Sequence, residues 1–259
     1  NFLSQPLSDT DMEPERIILE DNPLRILSAM NEVIITSSNT TTFKYPPTIA
    51  SLKYGGIVGC WAAQNFISAS SSDDVVCRIY NALGVALGVN FGVSSDPSNT
   101  ETDPVVAALE DGGFVVAFRT AATPKKIKFR IFESNGTPRT SDIDATVVDS
   151  FDKNELSITS LKSGNFLIVW VDYSNPQGVY GRIFGPNGAS VTARFRVNSL
   201  VANSYQQTAC TGLSDGTFVA AWVGQNANTT QGNSKQVRLQ RFSKYGIKMG
   251  SEYGADTVT

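Results

Sequence analysis

The sequence predicts an all-β chain built as a β-propeller, and three observations carry that prediction. A motif of Leu, a glycine-bearing turn and an apolar run occurs four times. An Arg-centred strand and a second turn glycine follow each copy at a near-constant interval. No stretch shows a convincing 3.6-residue apolar period, so almost no helix is expected.

The four copies read LKYGGIVGCW over residues 52–61, LEDGGFVVAF over 109–118, LKSGNFLIVW over 161–170 and LSDGTFVAAW over 213–222. Each closes on an aromatic residue: Trp61, Phe118, Trp170 and Trp222. The second motif reads Arg78-Ile79-Tyr80, Arg130-Ile131-Phe132, Arg182-Ile183-Phe184 and Arg241-Phe242, with turn glycines at Gly84, Gly136, Gly188 and Gly246. The arginines are 52, 52 and 59 residues apart. A weaker fifth copy, Arg25-Ile26-Leu27 with Asn31 in the glycine slot, lies 53 residues before Arg78. Asn tolerates the left-handed backbone that Gly supplies there.

Each unit reads as four strands. The first is short and rich in small residues, as in Ile49-Ala50-Ser51-Leu52, which lets several strands crowd around an axis. The second is apolar on both faces, as in Phe166-Leu167-Ile168-Val169-Trp170-Val171, and must be covered on both, as when sheets stack face to face. The third carries the Arg motif. The fourth alternates, as in Arg194-Phe195-Arg196-Val197, and belongs near an edge. One four-stranded sheet per period of about 52 residues is the signature of a propeller blade. A β-helix would repeat at a shorter interval; tandem β-sandwiches are the competing all-β array.

Four units are complete, over 46–102, 103–154, 155–206 and 207–259. Residues 16–36 supply two or three strands of a partial N-terminal blade, with a hairpin over 16–27, so the count is four or five blades. The expected organisation is an N-terminal arm over 1–22 and a single repeat domain over 23–259.

Composition narrows the function. The 259 residues carry a net charge of −3, which leaves no basic footprint for nucleic acid. Apolar runs reach about 8 residues, too short to span a bilayer. The chain opens on Asn1 without a signal peptide and reads as a mature form or a fragment. It contains no His, which removes His-based triads, general bases and metal ligands. Its three Cys cannot make a four-thiolate zinc site. No cofactor is expected. Asn39, Asn135 and Asn228 each begin an Asn-x-Thr sequon in an expected turn or loop and point to a secreted glycoprotein, unless they are turn asparagines that stay unmodified.

The pattern Leu-x-Asp-Gly-Gly-Phe-Val-Val-Ala-Trp, then Arg-Ile-Phe, then Asn-Gly, resembles tandem propeller-like repeats of large secreted and cell-surface, adhesin-like proteins. The resemblance covers residues 46–259. It implies an extracellular, adhesive or structural setting and brings no catalytic residue.

The repeated arginines are expected to stack on aromatics or pair with carboxylates between blades, and otherwise to form a ring of anion contacts. Trp61, Phe118, Trp170 and Trp222 are expected to pack between blades. The alternative is that Trp61, Trp170 and Trp222 offer stacking platforms for sugars, helped by Asp172, Asn175 and Gln177. Cys60 and Cys77 lie on adjacent strands, either as a disulfide or as paired buried thiols. Cys210 reads as a buried free thiol. The acidic clusters Asp9/Asp11, Asp73/Asp74 and Asp142/Asp144 match no calcium loop, and nothing in the sequence converges two carboxylates for hydrolysis.

The first functional reading is therefore a secreted, glycosylated structural protein without enzymatic activity. It would self-assemble through residues 1–15 of the arm, laid as an added strand on a neighbouring subunit, into an extracellular fibre or surface coat. The alternative is a lectin-like propeller that binds carbohydrate.

Overall fold

The computed structural model describes residues 46–67, 73–96, 100–146, 151–174, 176–199, 204–225 and 235–255. The chain divides into two compact units, Asn1–Val33 and Ile34–Thr259, and every described residue belongs to the second. The N-terminal arm, the 16–36 strands, Asn39, Asn175 and Asn228 lie outside the described residues.

Four antiparallel four-stranded sheets form the blades of a β-propeller, and no helix occurs among the described residues. The first blade holds β1 (Thr48–Ser51), β2 (Ile57–Ala63), β3 (Asp74–Tyr80) and β4 (Phe91–Gly92). The second holds β5 (Glu101–Ala108), β6 (Phe114–Thr120), β7 (Ile127–Phe132) and β8 (Ile143–Asp144). The third holds β9 (Lys153–Ser160), β10 (Phe166–Asp172), β11 (Gly178–Phe184) and β12 (Phe195–Arg196). The fourth holds β13 (Ser204–Gly212), β14 (Phe218–Gln225), β15 (Lys235–Phe242) and β16 (Lys248–Gly254). Each sheet is a meander in chain order, and successive inner strands pack on one another, β1 on β5, β5 on β9 and β9 on β13.

The recurring Leu opens a tight hairpin. Leu109 N–H donates to the Gly113 carbonyl at 2.8 Å, and Gly112 closes back on the Leu109 carbonyl at 3.0 Å. Gly112 sits at φ +97°, where a side chain would be strained. Leu52, Leu161 and Leu213 make the same turn.

Blades are joined by aromatic trios. Phe114 and Phe132 stack at 5.2 Å, and Phe91 of the first blade leans on both. Phe166 and Phe184 stack at 5.6 Å under Phe129 of the second blade. Phe218 and Phe242 stack at 5.0 Å under Phe195 of the third. The covering ring comes from either member of one cross-strand pair: Cys77 faces Phe91, Phe129 faces Ile143, and Gly181 faces Phe195. One ring per pair fills the seam, and its partner ranges from Gly181 through Cys77 to Ile143.

The register places the Arg motif differently in the fourth blade. Phe242 pairs with Phe218 as Phe184 pairs with Phe166, so Gln240, not Arg241, occupies the slot of Arg78, Arg130 and Arg182. The four side chains do one job. Each donates to the carbonyl ten residues on: Arg78 to Gly88, Arg130 to Thr140, Arg182 to Thr192 and Gln240 to Gly250. Arg130 and Arg182 also lie over Phe132 and Phe184.

Arg241 falls instead where the other blades bury Ile79, Ile131 and Ile183, and it pairs with Asp215. The fourth blade also differs in burial. β2, β6 and β10 are covered on nearly every residue, whereas Val219, Ala221 and Val223 on one face of β14 are only half-buried.

Candidate functional site

The inner strands carry the least regular backbone of the fold. Asp103, Glu155 and Gln207 occupy one slot in three successive blades, and all three have positive φ, at 53°, 51° and 46°. Each interrupts the pairing of its inner strand with the next strand of the blade. A bulge of this kind re-aims side chains, and left-handed Asp, Glu and Gln are costly enough that such strain gathers at functional sites.

Asp103 and Glu155 line one cleft of about 320 Å³, with Pro46, Arg119 and Asn154. The Arg119 guanidinium grips the Asp103 carboxylate at 2.5 and 2.6 Å, and the Thr102 hydroxyl donates to it at 3.2 Å. No ion pair to Glu155 is found among the described residues. Thr208 of the fourth blade donates its hydroxyl to the Glu155 carbonyl and fixes the bulge from the far side. Tyr173 stands near Asn154 and Glu155, which line the cleft, and is 42% exposed. Partial burial, and then the Glu155 charge, push its hydroxyl above the ordinary tyrosine range. The cleft thus gathers two acidic residues, an arginine and an asparagine.

Behind the cleft lies a buried ion cluster. Asp172 is fully buried, 3.3 Å from the Lys153 ammonium and 2.7 Å from Arg194. Lys153 also donates to the Phe151 carbonyl. Asp172, expected as a polar group beside a sugar platform, is therefore internal. Gln177 is half-buried, and its carbonyl accepts a hydrogen bond from Arg196.

Trp61, Trp170 and Trp222 are 4%, 0% and 1% exposed, and Phe118 is fully buried. Phe118, Trp170 and Trp222 pack in clusters shared with the preceding blade, and Trp61 packs with Ala63 and Val76 of its own, so none keeps the open face that sugar stacking needs. Cys60 and Cys77 are directly opposed on β2 and β3 and joined as a disulfide. Cys210 is half-buried, hydrogen-bonded to Ser157, and burial pushes its thiol up to about 12. Asn135 lies on an exposed turn. Asp142 caps Ser95, and no group of His, Cys, Asp and Glu among the described residues is arranged to hold a metal.

Sequence reasoning missed Asp103 and Glu155, although a signal exists. At the 52-residue interval, 103, 155 and 207 are Asp, Glu and Gln, polar residues set in strands whose neighbours lie in a core.

No family model and no curated protein matches the chain, so the likeness to adhesin-like repeats has no sequence match behind it. Solved structures do match in shape. A Dyadobacter fermentans protein of unknown function has TM-score 0.62 at 12% identity, over 87% of this chain and 72% of its own. A Hadza microbial sialidase has TM-score 0.56 at 12% identity; the alignment takes in 80% of this chain and less than half, 46%, of the sialidase. A Penicillium chrysogenum α-L-arabinanase solved with arabinobiose has TM-score 0.55 at 13% identity, over 85% of this chain and 67% of its own. The expectation of a scaffold without enzymatic activity is corrected here: two of these three structures belong to enzymes, so the fold is one that houses catalysis. At these identities the likeness shows the fold, a β-propeller shared with carbohydrate-cleaving enzymes.

Proposed function

We propose that this chain is a carbohydrate-binding propeller whose ligand sits in the cleft between the inner strands of the second and third blades. The observation that carries this reading is the placement of Asp103 and Glu155 at matching left-handed bulges around one cavity. Carboxylates and the Asn154 amide suit the dense hydroxyl pattern of a sugar, and the half-open Tyr173 ring suits its C–H face. The saccharides named with the shape-matched enzymes define the first ligands to try. Calorimetric titration with arabino-oligosaccharides and sialylated oligosaccharides tests the reading. Binding that is lost in Glu155→Gln and Tyr173→Ala is expected; absence of binding to every saccharide at millimolar concentration refutes it.

The two carboxylates favour a second reading, glycoside hydrolysis in the same cleft. That chemistry needs one carboxyl group as acid and another as nucleophile or base. Asp103, paired with Arg119, and Glu155, without an ion pair among the described residues, would supply the two groups. Release of reducing sugar by the native chain, lost in Asp103→Asn with binding retained, separates hydrolysis from binding alone.

An extracellular setting agrees with the Cys60–Cys77 disulfide, and no helix among the described residues is long and apolar enough to cross a membrane. Assembly into a fibre through residues 1–15 is the weaker reading, because the shape-matched structures with a stated activity are carbohydrate-active enzymes.

A further inference from the structure

A second cavity, of about 300 Å³, opens at the opposite end of the blades, in the seam between the first and second. Leu52, Tyr54, Tyr80 and Leu87 line it from the first blade, and Ser134 and Asn135 from the second. Tyr54 is 77% exposed and Leu87 56%, so the first-blade wall is apolar and open.

This wall departs from the repeat. The hairpin slot of Tyr54 holds Asp111 in the second blade, and the slot of Leu87 holds Arg139. There the two residues form an ion pair at 2.5 Å. The third blade holds Ser163 and Val191 in these slots and the fourth holds Asp215 and Met249, so Tyr54 alone puts an aromatic ring where the other blades carry a polar side chain, while Leu87 matches the apolar side chains of the last two blades. The ring lies over the neighbouring hairpin, where a Cβ on Gly112 would collide with it.

The turn facing this wall departs from the repeat as well. Among the four turns between third and fourth strands, Asn81–Gly84, Glu133–Gly136, Gly185–Gly188 and Ser243–Gly246, the second alone continues into an Asn-x-Thr sequon, Asn135-Gly136-Thr137. The Asn135 side-chain Oδ1 accepts the Thr137 N–H at 2.9 Å, and the residue is exposed. Gly136, at φ +88°, seats the turn against Ile79 and Phe91. The anchor is thus rigid and stands at the rim of the apolar cavity. Two unrelated departures from a 52-residue repeat meet at one seam.

We infer that Asn135 carries an N-linked glycan whose first sugars, N-acetylhexosamines, lie in this cavity with their C–H face on Tyr54. The attachment forms a bond from the Asn135 side-chain nitrogen to C1 of the reducing-end sugar. The nitrogen gives up a proton, and the sugar's bond to the pyrophosphate of a lipid carrier breaks, the pyrophosphate leaving with the electron pair. Transfer precedes folding, because the finished turn holds the sequon closed. The glycan covers Tyr54 and Leu87 and adds a link across a seam that Lys53 and Glu110 already bridge. This site is independent of the cleft at Asp103 and Glu155, at the other end of the blades.

The test uses the full chain secreted from eukaryotic cells. Glycopeptide mass spectrometry is expected to find Asn135 occupied. Removal of the glycan with peptide-N-glycosidase is expected to lower the melting temperature by about 2–4 °C. In Tyr54→Ala, and separately in Leu87→Ser, the same removal is expected to change it by less than half as much. An unmodified Asn135, or an equal effect of glycan removal in native and variant chains, overturns the inference. Saccharide binding at the cleft is unchanged in Asn135→Gln, so failure here is distinguishable from failure of the proposed function.

Discussion

Arg130 crosses the seam between the first and second blades and donates from its guanidinium to the carbonyl oxygen of Val93 at 3.0 Å. Its Nε holds the Thr140 carbonyl at 2.8 Å, so one side chain ties its own outer strand and the blade before it. Arg182 repeats the bridge to Ala145 at 3.4 Å. Gln240 keeps the link within its own blade, to Met249 and Gly250.

Replacing Arg130 with Met removes charged donors from two carbonyls, and such bonds contribute about 1.5–3 kcal/mol each. Arg130→Met is expected to lose about 2–3 kcal/mol in urea unfolding. Arg130→Lys should recover less than half, because an ammonium lacks the fork that serves both acceptors. Stability within about 0.5 kcal/mol of wild type would show that the bridge does not join the blades.

Trp222 fills the seam between the third and fourth blades at 1% exposure. Trp222→Ala is expected to cost about 3–5 kcal/mol through the cavity it leaves. Denaturant midpoints check this, and unchanged stability with weakened saccharide binding would return Trp222 to the ligand.

Asp172 and Lys153 form a buried pair, 0% and 1% exposed. Asp172→Ala strands the Lys153 ammonium and is expected to cost about 3–5 kcal/mol. Arg194, being 29% exposed, can turn to water. The double variant Lys153→Met/Asp172→Leu should regain most of the loss. A double-mutant cycle reads this directly, and additive losses would deny the coupling.

Glu101 is 1% exposed, with one carboxyl oxygen lacking a hydrogen-bond partner. Burial first, and also the charges of Asp74, Asp142 and Asp96, raise it to about 8 against a Ser94 hydrogen bond that lowers it. The folded chain therefore holds a proton that the unfolded chain releases in the ordinary carboxylate range. This stabilisation is complete below that range and is lost as pH rises through about 8, with a slope of at most about 1.4 kcal/mol per pH unit. Glu101→Gln, which stays neutral, should flatten the stability curve across the window. An unaltered curve would mean that Glu101 is not the group that titrates.

Much of the fold was legible because a blade is a local object. The Leu-turn-apolar-run motif specifies a hairpin from neighbouring residues alone, and its 52-residue recurrence specifies stacked copies. The buried state of Trp61, Trp170 and Trp222 was one of two readings, since an aromatic at a strand end can face a neighbouring blade or water. Arg241 shows where sequence reading fails. Its identity matches the motif, but strand register, set by the pairing of Phe218 with Phe242, assigns the role to Gln240. A shift of one residue moves a side chain to the other face of a sheet, and its signal is the turn glycine: Gly246 follows Gln240 by six residues, as Gly136 follows Arg130 and Gly188 follows Arg182.

By itself the sequence determined the strand pattern, the turn glycines, the period, the absence of His and the placement of Cys60 and Cys77 on adjacent strands of one hairpin. Those properties depend on residues a few positions apart or on composition. Only the tertiary structure decided which polar groups share a site. Asp103 and Glu155 are 52 residues apart, and they meet because inner strands of successive blades pack together and the bulge in each turns its carboxylate to the same cleft. Tyr54 and Asn135 likewise meet only across a seam. Proximity between blades is a product of sheet stacking, which the order of residues along one strand does not encode.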